Sequence, residues 1–236
     1  MGPFGFYYFD YTWFLFMVPA LLVTMAARIR VSSAFSKYSR IRTVRGMTGA
    51  QAADAVARFG GARVLIRPVA GSLTDNFDPR SHTISLSHDV YGSSSVAAVG
   101  VAAHEAGHSV QDAEGYLPNR IRTALVPVTN IGSRLSLPLI LIGLFLPVQY
   151  DFIVYAGILL YGLVVLFELA TLPVEIDASR RAVRALDDTG ILTPEELAGA
   201  KKVLTAAAMT YLAASFAAIL TLLRFLVLAG NRRGRN

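Results

Sequence analysis

Apolar residues along the chain gather into four long runs separated by polar stretches. About 20 mostly apolar residues in a helix are enough to cross roughly 30 Å of hydrocarbon. The first run extends from about Tyr11 to Ala27. Tyr7, Tyr8, Tyr11 and Trp13 form an aromatic belt at its start, and Arg28 and Arg30 close it. This is the pattern of a retained anchor, since Met1 to Asp10 holds none of the basic residues that precede a cleaved signal. In the second run only Leu135 to Val148 is strongly apolar; Pro127, Asn130 and Arg134 place its entry half within protein or at the interface. Gln149, Tyr150 and Asp151 connect it tightly to the third, Phe152 to about Leu172, which carries Glu168 and breaks at Leu172-Pro173, so these two predict a helical hairpin. The fourth, Ala206 to Ala229, is interrupted by Arg224 and ends in the basic stretch Asn231 to Arg235.

Between the first two runs the pattern changes to short elements. Thr48 followed by Gln51 is a capping-box start, Ala52, Ala55, Val56 and Phe59 recur at helical spacing, and Gly60-Gly61 stops the helix. Val64 to Ile66 and Thr83 to Leu86 read as two strands joined by a turn-rich loop, Gly71 to Arg80. Either strand offers backbone to an extended peptide by strand addition. Ser93, Ser94 and Ser95 are candidate caps for a helix beginning at Val96, and Thr193-Pro194-Glu195-Glu196 is a second capping box leading into the fourth run.

Composition narrows the class. With 54% apolar and 16% charged residues, the chain is not an ordinary soluble enzyme. Its net charge of +6 is spread in short clusters, which fits membrane-flanking arginines and excludes a nucleic-acid partner. The absence of cysteine excludes disulfides, thiolate metal sites and a cysteine nucleophile. Arg28, Arg30, Lys37, Arg40, Arg42 and Arg45 follow the first run, and Arg180, Arg181, Arg184, Lys201 and Lys202 follow the third. The loop between runs two and three has no basic residue. The positive-inside rule therefore places the N-terminus outside and the polar regions in the cytoplasm of a multi-pass protein of a prokaryotic plasma membrane.

The chemistry lies in His104-Glu105-Ala106-Gly107-His108, a HExxH sequence on the helix that the serines cap. Spacing i to i+4 stacks both imidazoles on one face, where each can offer a nitrogen to one zinc ion, with Glu105 beside it to take a proton from water. A chance match in this composition is expected about 0.002 times. A hydrolytic zinc site usually has three protein ligands; His82 and His88 lie upstream as candidate third ligands, but with no cysteine a carboxylate is the expected one. The best-placed carboxylates lie in Leu172 to Ala182, beyond the third run. Glu168 is a competing candidate, two turns earlier and at membrane depth. His82, His88, Tyr91 and Arg180 are candidate substrate or oxyanion contacts by type and neighbourhood.

HEAGH, the upstream Asp75-Asn76-Phe77-Asp78-Pro79-Arg80 and Ser87-His88-Asp89-Val90-Tyr91, and the downstream Leu172-Pro-Val-Glu-Ile-Asp-Ala-Ser-Arg-Arg-Ala182 together resemble the YugP-type membrane zinc metallopeptidase family. The resemblance covers nearly the whole chain. More distantly the pattern is similar to the HtpX and CAAX-prenyl-peptidase type, whose third ligand is a Glu in Glu-x-x-Ala-Asp. On that pattern Glu175 is the third ligand, Ala178 the alanine, and Ser179 stands where the relatives have Asp. Asp177 and Ser179 become candidate partners of the ligating residues.

The resemblance implies one zinc ion per chain and hydrolysis of peptide or protein substrates by an activated water with Glu105 as proton acceptor. The expected architecture is a mainly α integral membrane protein with about four transmembrane or membrane-embedded helices and a small α+β zincin-like catalytic region. Its divisions are an anchor at 1–27, the HExxH region at 28–123, a membrane hairpin at 124–172, the third-ligand helix and connector at 173–205, and a last membrane helix with basic tail at 206–236. Two other readings stand beside the membrane-anchored endopeptidase. One is a site-2-like intramembrane protease, which needs HExxH within a long membrane run. The other is a non-catalytic interaction protein with structural zinc, in which Glu105 has no purpose.

Overall fold

The computed structural model describes residues 11–72 and 74–233. Tyr7 and Tyr8 of the expected aromatic belt, and the arginine at 235, lie outside these. The chain is mainly α-helical. Four helices are long and apolar enough to cross a membrane: Trp13–Tyr38, Leu117–Phe145, Val148–Asp188 and Pro194–Asn231. Large apolar side chains such as Phe14, Leu22, Leu159 and Leu166 are exposed along them. Water would make such a surface costly, whereas a lipid bilayer is its natural solvent.

In chain order the helices are α1 (Val18–Tyr38, entered through a π-helical turn at Trp13–Met17), α2 (Gly49–Phe59), α3 (His88–Tyr91), α4 (Val96–Ala113), α5 (Leu117–Phe145), α6 (Asp151–Asp188) and α7 (Pro194–Arg233). The strands are β1 (Leu65–Val69), β2 (Asn76–Asp78) and β3 (Thr83–Ser87). Two compact units emerge. One comprises the residues up to Ala26, Ile121–Thr171 and those from Tyr211 onward; the other comprises Ala27–Arg120 and Leu172–Thr210.

In the first unit the expected hairpin is α5 and α6, joined by a short 3-10 turn at Val148–Tyr150. Glycines let the two helices approach closely. A Cβ at Gly157 would lie 2.8 Å from the Ser136 carbonyl oxygen, and one at Gly132 would lie 2.9 Å from that of Leu160. Small residues at a helix contact are the common way of packing helices without a hydrophobic drive between them. Ile140, Val154, Ile158, Phe225 and Ala229 form the buried cluster there.

Two helix ends differ from the sequence expectation, and the prolines of the second run fall inside its helix. The first helix continues past Ala27 to Tyr38, whose buried ring packs where a Cβ on Gly199 would sit. Pro127 and Pro138 lie inside an unbroken α5. Pro173 lies inside an unbroken α6 rather than ending a helix. A proline forfeits one backbone hydrogen bond. On the next turn Val174, Glu175 and Ala178 are almost wholly buried, so tertiary packing holds the helix through the defect.

The second unit carries the sheet and the HExxH helix. Both bonds of the Thr48 capping box form, and Ala52, Ala53, Val56 and Ala57 of α2 are buried in the same cluster as Ala98, Ala102 and Ala106 of α4. Ser95 caps α4 by accepting from the Ala98 N–H at 3.2 Å. The sheet order is β1-β3-β2, with β1 parallel and β2 antiparallel to β3. The third strand lies in the stretch expected to be loop. At three residues it is too short for a period-two signal, and it is built around Asp78, which accepts from the Arg80 N–H and the Ser81 hydroxyl in a local turn. Thr83 to Leu86 is therefore the wholly buried centre of the sheet and has no free edge along Thr83–Ser85 for strand addition. The outer edges belong to β1 and β2.

Candidate metal centre

Helix α4 presents His104 and His108 one turn apart, with ring centroids 4.7 Å from each other and planes at 80°. Glu175 comes to them from α6, 71 residues from His104. Its Oε2 lies 3.2 Å from His104 Nε2 and 3.4 Å from His108 Nε2. One donor atom from each residue lies within 4.8 Å of the others, and among the described residues no other group of three or more His, Cys, Asp or Glu comes together in this way. Ligand atoms at 2.0–2.1 Å from a tetrahedral zinc are about 3.3 Å apart, so the two measured spacings suit that ion. Two imidazoles and a carboxylate form the His2Glu donor set of catalytic zinc, which keeps a fourth position open.

The convergence depends on how closely the two helices approach. A Cβ on Gly107 would sit 2.5 Å from the Ala178 carbonyl oxygen and 3.3 Å from its Cα. Ala103, Ala106, Ala178 and Ala182 are all fully buried. The small residues between and after the histidines thus set the distance across which Glu175 reaches. Gly107→Ala should destabilise the fold by about 1–3 kcal/mol, the usual cost of overpacking, and weaken zinc binding as α6 is pushed away. Thermal unfolding and zinc titration of the purified variant would read both; unchanged zinc affinity would show that the close approach is not what sets the site.

Each histidine has a partner on its other nitrogen. Ser179 Oγ lies 3.1 Å from His104 Nδ1, so the residue standing in the aspartate position of the motif still reaches its histidine. Gln111 Oε1 lies 3.1 Å from His108 Nδ1. Asp177 addresses no histidine directly; it accepts from Gln111 Nε2 at 2.8 Å and from Arg181 Nε at 2.5 Å. Sequence reasoning passed over Gln111. Its signal was an amide three residues after His108, on the same helical face. Arg181, one of the basic residues that follow the third apolar run, also pairs with Glu114 at 2.6 Å.

Burial pushes the Glu105 carboxyl above the ordinary carboxylate range, opposed by His104 and His108. For His108 burial acts downward but is outweighed by the Glu175 hydrogen bond and the Glu105 charge, so the net direction is up. Ligation demands an unprotonated imidazole nitrogen, so a cation at these donors takes the proton's place.

The other candidates do not belong to the three-donor group. His82 is exposed in a left-handed turn (φ 46°), with Nδ1 3.5 Å from Asp112. His88 and Arg180 are exposed, and Tyr91 packs half-buried against the core. Glu168 lies seven residues before Glu175 on α6, and its backbone carbonyl accepts from Ser215 Oγ.

Residues 13–230 match the family described as "Putative neutral zinc metallopeptidase". The chain is 38% identical over 225 residues to the "Putative membrane protease YugP" of Bacillus subtilis (strain 168), an alignment covering 94% of this chain and 99% of that protein. No solved structure is significantly similar to it.

Proposed function

Because the chain belongs to the neutral zinc metallopeptidase family, we propose that it is a membrane-anchored zinc endopeptidase in which His104, His108 and Glu175 hold one zinc ion and Glu105 carries the proton. The observation that supports this most strongly is the convergence of the three donor atoms from two helices, with Glu105 on the adjoining position of α4. When bound there, zinc supplies the Lewis acidity that makes water a nucleophile near neutral pH and polarises a peptide carbonyl. Glu105 accepts the proton of the attacking water; the peptide C–N bond then breaks, and Glu105 returns the proton to the leaving amine. Ser179 and Gln111 orient the imidazoles.

A purely structural zinc usually closes its fourth position with protein, and no fourth His, Cys, Asp or Glu joins the group among the described residues. The intramembrane reading needs HExxH within a membrane run, whereas α4 is not one of the four long apolar helices. The deciding experiment is metal analysis of purified protein together with cleavage of an unstructured polypeptide. Cleavage should stop on chelation and return with zinc; protein that holds zinc but cleaves nothing under any condition would leave the structural reading in place.

The site is assigned to the cytoplasmic face. A crossing by the first helix and a membrane hairpin of α5 and α6 would leave residues 27–120 and 172–210 on one side, and the Lys and Arg residues after the first and third helices support the inner one. Since the chain has no native cysteine, Ser72→Cys is a clean probe at an exposed loop position. A membrane-impermeant maleimide should label it only after the cells are permeabilised; labelling of intact cells would move the site to the outer face.

A further inference from the structure

We propose that Gln111 is a positioning residue that decides which ring nitrogen of His108 carries hydrogen, and that this position demands a carboxamide. The proposal rests on the zinc-ligand reading above. Gln111 is wholly buried, and all of its amide atoms have partners. Nε2 donates to the Val174 carbonyl at 2.8 Å and to Asp177 Oδ2 at 2.8 Å, while Oε1 lies 3.1 Å from His108 Nδ1.

Neither a backbone carbonyl nor a carboxylate donates a hydrogen, so the amide nitrogen must face them and the oxygen must face the ring. An acceptor opposite Nδ1 requires the hydrogen on Nδ1. That leaves Nε2, the atom 3.4 Å from Glu175 Oε2, with its lone pair for the cation. Arg181 holds the other side of Asp177 at 2.5 Å and reaches Glu114 at 2.6 Å. The path Glu114, Arg181, Asp177, Gln111, His108 therefore alternates donors and acceptors without a mismatch.

Outer partners of ligating histidines are commonly a carboxylate, a backbone carbonyl or water. Here the carboxylate stands one residue removed and the amide relays its orientation. A carboxylate at position 111 would satisfy His108 but face Asp177 and the Val174 carbonyl with no hydrogen to offer, from a wholly buried position. A residue of the same shape therefore cannot substitute unless Asp177 changes with it. In Gln111→Glu/Asp177→Asn the net charge is the same as in the wild type and a donor returns across the 111–177 contact, while the Val174 carbonyl stays without one, so the rescue is partial.

The test is a double-mutant cycle on full-length protein in detergent, reading the zinc dissociation constant by competition with a chelator. Gln111→Glu should lose about 10- to 100-fold in zinc affinity. Adding Asp177→Asn should restore at least about tenfold of that, a rescue that a generic packing role would not produce. Equal affinity in wild type and Gln111→Glu, or no rescue in the double variant, overturns the proposal alone. Wild-type protein that binds no zinc overturns the metal centre itself. Should Gln111→Glu fail to fold, nitrogen NMR of the zinc-loaded wild type with labelled histidine decides the matter. Hydrogen on His108 Nδ1 supports the proposal, and its absence overturns it.

Discussion

Glu175→Ala should yield a folded protein that holds no zinc and cleaves no peptide. Among the described residues Glu175 is the carboxylate that reaches both imidazoles at Nε2, and its side chain is 3% exposed. Removing it leaves two nitrogens for an ion that takes three protein ligands, so the loss of affinity should exceed the roughly 10- to 100-fold expected for an outer partner. His104→Ala should behave alike. The contrasting variant is Glu168→Gln. Seven residues along a continuous helix is about 10 Å, out of reach of the same ion, so this change should leave zinc content intact. Metal analysis of the three purified variants separates them. Zinc retained in Glu175→Ala and lost in Glu168→Gln would place the centre within the membrane segment and revive the intramembrane reading.

Glu105→Gln should do the opposite to the two properties, leaving zinc near the wild-type amount while turnover falls by about 10²- to 10⁴-fold, the range general acid–base groups contribute. The amide keeps the size of the side chain in a buried position but cannot take a proton from water. Measuring zinc content and peptide cleavage on the same preparation is essential, because a variant that has lost both says only that the site has collapsed. Full turnover in a zinc-loaded Glu105→Gln preparation would remove Glu105 from the mechanism.

Much of this site was legible in one dimension. His104, Glu105 and His108 are local: four residues on one helix determine their geometry, and the serine cap at Ser95 announces that helix. The third ligand was narrowed to a carboxylate by elimination, best placed in the eleven residues from Leu172 to Ala182, and reached Glu175 only through resemblance to a family pattern. Gln111 and Gly107 escaped for different reasons. The value of Gln111 depends on what lies across the helix contact, at Val174 and Asp177. Gly107 reads as a helix-weakening residue until Ala178 is seen against it. The expected free edge on Thr83 to Leu86 failed because two strands flank it, and one of them, Asn76–Asp78, has too few residues to show a period.

The sequence by itself determined the features that depend on neighbours within a few turns. These are four apolar lengths able to cross a bilayer, the capped helices at Thr48, Ser95 and Thr193, and a paired-histidine face with its glutamate. Tertiary structure alone decided what depends on residues far apart in the chain. It carried α6 through Pro173, because burial on the following turn outweighs one missing hydrogen bond. It brought Glu175 to histidines some 70 positions away, because glycine and alanine on both helices allow their backbones to touch. Hydropathy and spacing report how one segment meets its solvent and itself; the distance between two segments is set by the volume of the side chains between them, which only their packing reveals.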